Sequence, residues 1–161
     1  MPHLLEHGAL LASLYNELLR LANAPIGPRV VVSEVAIGRK LLRPGRKLLM
    51  PYRQLHFDPR VFGANAAQFD AARFLNNKGL ARSTSYRPFG GAATHCPGRF
   101  LARREVYMFV VLVLRRFDIS LEGVGGERPK FPRMDETIPS GGMMGPVAGD
   151  DVFVNVRQAR C

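Results

Sequence analysis

The sequence predicts a mainly α-helical fold with small β-sheets, an α+β arrangement, on three observations. Leu10, Leu11, Leu14, Leu18 and Leu21 recur at three- and four-residue spacing near the start of the chain. A second helical pattern runs from about Pro97 to Phe117. Short apolar runs broken by Gly and Pro fill the space between the two helices and the tail after them.

Taken in order, Leu4 to Ala22 forms one amphipathic helix, closed by Pro25, Gly27 and Pro28. From Arg29 to Leu49 the apolar runs Val30-Val31-Val32 and Leu48-Leu49-Met50 flank Arg43-Pro44-Gly45, the pattern of β-ribbon around a turn. Pro51 to Ala81 carries turn signals at Asp58-Pro59 and Asn76-Asn77-Lys78-Gly79 and too little periodicity for a long element, so it is expected to be a meander packed on other parts. Arg87-Pro88-Phe89-Gly90-Gly91 is a loop. Pro97 stands where proline favours the first helical position, so the second helix is expected to start there. That helix is apolar on nearly every side between Val106 and Leu114, which implies burial within a larger body. The tail from Gly123 is rich in Gly and Pro and ends in the alternation Val152-Phe153-Val154-Asn155-Val156, a strand of a hairpin.

At 161 residues, 47% hydrophobic and 22% charged, the chain has the composition and length to bury a core and is not intrinsically disordered. Two cysteines, Cys96 and Cys161, cannot build a disulfide framework. The longest apolar run, Val106 to Leu114, is nine residues where a spanning helix needs about 20, and the first seven residues lack the basic and apolar regions of a secretory signal. The net charge of +10 comes mostly from arginine and invites an acidic partner. Nucleic-acid binding is disfavoured, because the arginines are scattered through segments of different character rather than interleaved with aromatics on one element.

The strongest chemical signal is Phe89-Gly90-Gly91-Ala92-Ala93-Thr94-His95-Cys96-Pro97-Gly98-Arg99, with Ala102 beyond it. A thiol at a helix N-terminus feels the positive end of the helix dipole, and neighbouring glycines let backbone approach closely. Those features favour a thiolate site over a buried structural cysteine acting as a small hydrophobe.

These residues resemble the haem-binding loop of the cytochrome P450 family, Phe-x-x-Gly-x-x-x-Cys-x-Gly followed four residues later by alanine, with Phe89, Cys96, Gly98 and Ala102 at matching places. The resemblance implies haem b held by the axial thiolate of Cys96, with Phe89, Gly90, Gly91 and Gly98 shaping the loop. One position departs: Ala92 replaces the loop glycine, which would cost about 1 kcal/mol if the site requires a positive φ. Glu17-Leu18-Leu19-Arg20 is similar to the family's Glu-x-x-Arg, and Ala71-Ala72-Arg73-Phe74 to the Arg-Phe half of its Pro-Glu-Arg-Phe segment. The resemblance therefore implies a buried triad of Glu17, Arg20 and Arg73. His56-Phe57-Asp58-Pro59 resembles the His-x-Asp-Pro turn between them. Arg29 is placed like the arginine that holds a haem propionate, and 23–32 resembles a substrate-contacting segment.

By this resemblance the chain is the C-terminal part of the cytochrome P450 fold, incomplete without its N-terminal helices. Its segments are the Glu-x-x-Arg helix (1–24), β-ribbon and meander (25–81), haem-thiolate loop and following helix (82–117) and hairpin tail (118–161). The motif of the central helix over the distal haem face is missing, so no catalytic residue is identifiable, and the expectation is a truncated monooxygenase, inactive in isolation. An intact parent would insert one oxygen of O₂ into a hydrophobic substrate of lipid, sterol or secondary-metabolite type. Its electrons would come from NADPH through an acidic reductase-like partner facing Arg99, Arg103 and Arg104. The Cys-Pro-Gly-Arg loop is similar in style to fungal and to sterol- or prostanoid-handling members, and eukaryotic members usually sit on the endoplasmic reticulum membrane.

Two alternatives belong to other classes. His3-Leu4-Leu5-Glu6-His7 has the His-x-x-Glu-His spacing of a zinc metallohydrolase. The basic surface would also suit a non-enzymatic interaction module, whose nucleic-acid affinity would fall steeply with salt.

Overall fold

A computed structural model describes residues 2–91, 95–123, 130–137 and 142–159, with side chains from residue 8 onward. The chain divides into two compact units, Met1–His95 with Ser140–Met143, and Cys96–Pro139 with Met144–Cys161.

The first unit opens with α1 (Pro2–Ala22), two residues longer at its start than the leucine pattern gives. Its last turn is closed by the Asn23 N–H donating to the Leu19 carbonyl at 3.1 Å. The buried line of the helix is not simply its leucines. Ser13, Glu17 and Arg20, spaced by four and three residues, are fully covered, while Leu10 and Leu18 stay exposed. A paired charge cluster, described below, takes that face.

Next, β1 (Ile26–Val30) pairs antiparallel with β4 (Lys47–Pro51), Arg29 standing opposite Leu48. The expected turn is there. The Arg46 N–H donates to the Arg43 carbonyl at 3.3 Å, with Pro44 second and Gly45 third at φ 80°, as a type II turn requires. Within the ribbon the structure adds a separate small hairpin, β2 (Val35–Ile37) with β3 (Lys40–Leu42), whose two-residue loop starts with Gly38 at φ 59°.

From residue 52 the chain makes three short helices, α2 (Tyr52–His56), α3 (Pro59–Phe62) and α4 (Arg73–Asn76), then a 3₁₀ turn (Lys78–Arg82). Both turn signals act as caps: Asp58 accepts from the Arg60 N–H at 3.0 Å, and Asn77 from the Gly79 N–H at 3.1 Å. Phe62, Ala66, Phe74, Leu80 and Tyr86 form the core of this unit. The Phe74 and Tyr86 rings lie 4.9 Å apart and tilted, a favourable aromatic geometry.

The second unit holds α5 (Arg99–Arg116) and a ribbon of β5 (Phe117–Glu122) antiparallel to β6 (Phe153–Gln158). Here the expected start of the helix is corrected. Pro97 lies in the turn before α5, not at its first position, because Gly98 is the cap residue and its carbonyl accepts the first helical bond from the Ala102 N–H at 2.9 Å. The expected burial of this helix is also absent in this chain. None of its residues is buried, and Phe100, Leu101, Met108, Phe109 and Leu114 each keep at least 61% of their surface exposed.

Gly27 tests the packing of the first unit. A Cβ there would meet the Tyr52 ring, 2.6 Å from Cζ and 2.9 Å from Cε2. Gly27→Ala is expected to lower stability by about 1–3 kcal/mol, read as a lower urea midpoint at unchanged slope.

Candidate functional site

Glu17 is the centre of a buried cluster. It takes Arg20 in a two-point grip, Nε to Oε2 at 2.8 Å and Nη2 to Oε1 at 2.7 Å. Arg73, 56 residues further on, brings its Nε within 3.1 and 3.2 Å of the same two oxygens, and the Asp70 N–H donates to Oε1 at 3.1 Å. Both guanidinium groups are saturated. Arg20 uses its remaining donors on the carbonyls of His56 (2.8 Å), Ala66 (2.6 Å) and Gln68 (3.2 Å). Arg73 uses its own on the Phe62 carbonyl, the Asn65 side chain (2.9 Å) and the carbonyls of Asn65 (3.1 Å) and Gln68 (3.0 Å). With every donor of both forks engaged, two buried cations are held against one anion.

His56 lies beside this cluster with none of its surface exposed. Its Nδ1 is 3.2 Å from the Arg20 carbonyl, and its Nε2 is 2.9 Å from the Arg87 N–H. A carbonyl can only accept and an amide N–H can only donate. The partners therefore assign the proton to Nδ1 and the lone pair to Nε2. Burial, then the positive charges of Arg20 and Arg53, push the His56 pKa down to about 4 against the opposing effect of the Arg20 carbonyl.

Arg87 opens the loop that leads towards Cys96. The Gly90 N–H closes a turn onto the Arg87 carbonyl at 3.2 Å, with Gly90 at φ 76°. Asn23 Nδ2 donates to the Pro88 carbonyl, and the Tyr86 hydroxyl reaches the oxygens of Asn16 at 3.0 Å. Gly91 is buried, and a Cβ there would lie 2.6 Å from Arg87 Nη1, so the arginine fork packs directly over it. Phe89 is half-buried.

Cys96 begins the second unit as a free, exposed thiol. A Cβ on Gly98 would stand 3.7 Å from its Sγ, so the bare glycine lies against the sulfur at the foot of α5. Arg99 donates from Nη1 to the Cys96 carbonyl at 2.7 Å and stacks on Phe100, 4.1 Å from the ring centroid. Among the described residues no three His, Cys, Asp or Glu side chains gather to hold a metal ion. A lone thiol would suit a porphyrin iron, which needs one soft donor from the protein, better than a bare ion, which needs several. Arg29, half-buried on β1, donates to the Pro28 carbonyl at 2.7 Å.

The candidate residues thus fall into three groups. Glu17, Arg20 and Arg73 meet directly; Phe89, Gly90 and Gly91 form the anchored loop of the first unit; Cys96 and Gly98 open the second. Ala92 and Cys161, and the side chains of His3, Glu6 and His7, lie outside the described residues. Sequence reasoning gave no role to His56 beyond its place in the His-x-Asp-Pro turn, and none to Ser13, whose hydroxyl donates to the Ala71 carbonyl at 2.6 Å and accepts from the Leu75 N–H at 3.0 Å.

Two outcomes follow from this geometry. Glu17→Gln leaves two buried cations without their anion and is expected to cost about 3–5 kcal/mol in urea unfolding. For His56 the unfolded chain, near 6.5, binds a proton that the folded chain refuses until about pH 4, so this residue's contribution to stability is full above 6.5 and is lost as pH falls from 6.5 to 4. Urea midpoints taken across that window are expected to fall more steeply for the wild type than for His56→Gln.

The cytochrome P450 family profile matches residues 4–144. A cytochrome P450 monooxygenase of Gibberella zeae is 37% identical over 139 residues, covering 80% of this chain and 26% of that protein. A rabbit (Oryctolagus cuniculus) 7-alpha-hydroxycholest-4-en-3-one 12-alpha-hydroxylase is 35% identical over 133 residues, covering 73% of this chain and 26% of its own length. Among solved structures, retinoic acid-bound cyanobacterial CYP120A1 superposes with a TM-score of 0.72 at 22% identity, over 93% of this chain and 33% of that one. The chain therefore spans about a quarter to a third of the length of these relatives. A profile match over most of the sequence and a fold shared across 93% of it place this chain in the cytochrome P450 family.

Proposed function

We propose that this chain is the haem-thiolate portion of a monooxygenase, binding haem b through Cys96. The observation that carries the reading is the exposed Cys96 thiol with the bare Gly98 beside its sulfur at the start of an 18-residue helix. Bound haem would supply O₂ activation, with thiolate donation favouring O–O cleavage. The residues of the chain serve that group in distinct ways. Cys96 is the ligand, and Gly98 lies next to it at the foot of α5. Phe89, Gly90 and Gly91 shape the loop before it, and Arg29 offers a guanidinium suited to a propionate. Glu17, Arg20 and Arg73 hold the scaffold and touch no substrate.

In the full-length context the substrate is hydrophobic and of lipid, sterol or secondary-metabolite type, a class supported by the sterol hydroxylase named among the relatives. One oxygen atom would enter a C–H bond and the other would leave as water, using two protons and two electrons, the electrons coming from NADPH through a reductase-like partner. Arg103 and Arg104, exposed on the first half of α5 beside Arg99, suit an acidic face on that partner. No helix among the described residues is long and apolar enough to cross a membrane.

Haemin added to the purified chain, then reduced and exposed to CO, is expected to give a strongly red-shifted Soret band that Cys96→Ala abolishes. The same spectrum from wild type and Cys96→Ala would overturn thiolate ligation.

A further inference from the structure

We infer that His56 is a positioning residue, a neutral two-ended linker that ties the Glu17–Arg20–Arg73 cluster to the turn leading into the thiolate loop. The inference rests on the haem-thiolate reading for its purpose, but its geometry lies wholly within the first unit.

Two features of the site require a histidine, uncharged and in one tautomer. At one end Nδ1–H meets the carbonyl of Arg20, whose fork is locked on Glu17; at the other, Nε2 accepts the N–H of Arg87, the first residue of the Arg87–Gly90 turn. A second proton on Nε2 would set a donor against a donor. Burial first, and then the positive charges of Arg20 from α1 and Arg53 from α2, oppose that proton, and from the loop side the ring faces Tyr86 at 5.6 Å. No carboxylate is among the groups acting on its titration. The imidazole therefore accepts from Arg87 throughout the neutral range.

The position of that bond explains its use. Among the described residues Asn23 holds the Pro88 carbonyl and His56 holds the Arg87 N–H, and the His56 bond leads directly to Arg20 of the ion cluster. Arg87 also spreads its fork over Gly91 and donates from Nε to the Thr84 carbonyl at 2.9 Å. Fixing its backbone N–H therefore sets where residues 87–91 begin, nine residues ahead of Cys96.

Side-chain shape separates the two ends of the linker. The Gln oxygen reaches about as far as Nε2, whereas Asn reaches only about as far as Nδ1, so His56→Gln can restore the acceptor for Arg87 and His56→Asn cannot. The test measures amide exchange protection at Arg87 in the haem-free chain at neutral pH. Protection is expected to fall at least tenfold in His56→Asn and His56→Phe and to return in His56→Gln, with α1 and α4 amides unchanged in His56→Asn. Equal protection in His56→Asn and wild type, or loss in His56→Gln with α1 and α4 intact, would overturn the inference. Nitrogen chemical shifts of the wild-type imidazole provide a readout that needs no variant: a protonated Nδ1 and bare Nε2 are expected, and the opposite tautomer overturns it. With haemin and CO, His56→Gln is expected to keep the red-shifted band and His56→Asn to lose at least half of it. If Cys96→Ala leaves that band unchanged, the haem reading fails while the exchange result still judges His56.

Discussion

Two guanidinium groups share one carboxylate inside the first unit, which leaves one uncompensated positive charge among Glu17, Arg20 and Arg73, all nearly sealed from water. A buried pair recovers its desolvation cost only when the geometry is close and the remaining donors are satisfied, and an extra cation raises that cost. The chain answers with backbone dipoles. Carbonyls of His56, Phe62, Asn65, Ala66 and Gln68 all turn towards the two forks. The stretch between α3 and α4 has almost no repeating structure and is nonetheless held in place by these carbonyls, that of Asn65 accepting from both Arg73 and the Gln68 N–H. The meander is ordered by charge as much as by its small aromatic core.

Order in that cluster passes to the loop through few groups. Ser13 fixes residues 71 and 75 to α1, Glu17 fixes Asp70, and His56 carries the Arg20 position to Arg87. Each contact pairs a backbone group that is at least partly withdrawn from water, so each is worth more than a fully exposed bond. A single helix, α1, therefore aligns segments more than fifty residues away along the chain.

Periodicity found α1 because leucines at three and four spacing mark a helix whatever covers it. It did not find the buried face, because Ser13, Glu17 and Arg20 read as polar until their partners are known. Spacing could put Glu17 and Arg20 on one side of a helix, but Arg73 entered only through the family resemblance, since nothing local ties it to a residue 56 positions earlier. Gln68 was illegible for a different reason: it acts through its main-chain carbonyl, which every residue type carries. The β2–β3 hairpin was absorbed into one ribbon because strands of three residues are too short to show alternation. Pro97 misled because its preference for the first helical position was outweighed by Gly98, whose carbonyl starts the helix.

Helix α5 shows what the two units do not share. A helix segment apolar on nearly every side, as 106–114 is, normally lies inside a larger body, yet here no residue of α5 is buried, and Met144 is the one buried apolar side chain among the described residues of its unit. Its companion is a two-stranded ribbon, a form that is marginal in water without a hydrophobic face to pack on. The first unit has a continuous aromatic core and a saturated ion cluster; the second, which carries the thiol, has little burial to stabilise it. The turn at residues 87–90 is held inside its own unit by Asn23 and His56, whereas α5 has no buried side chain in its own.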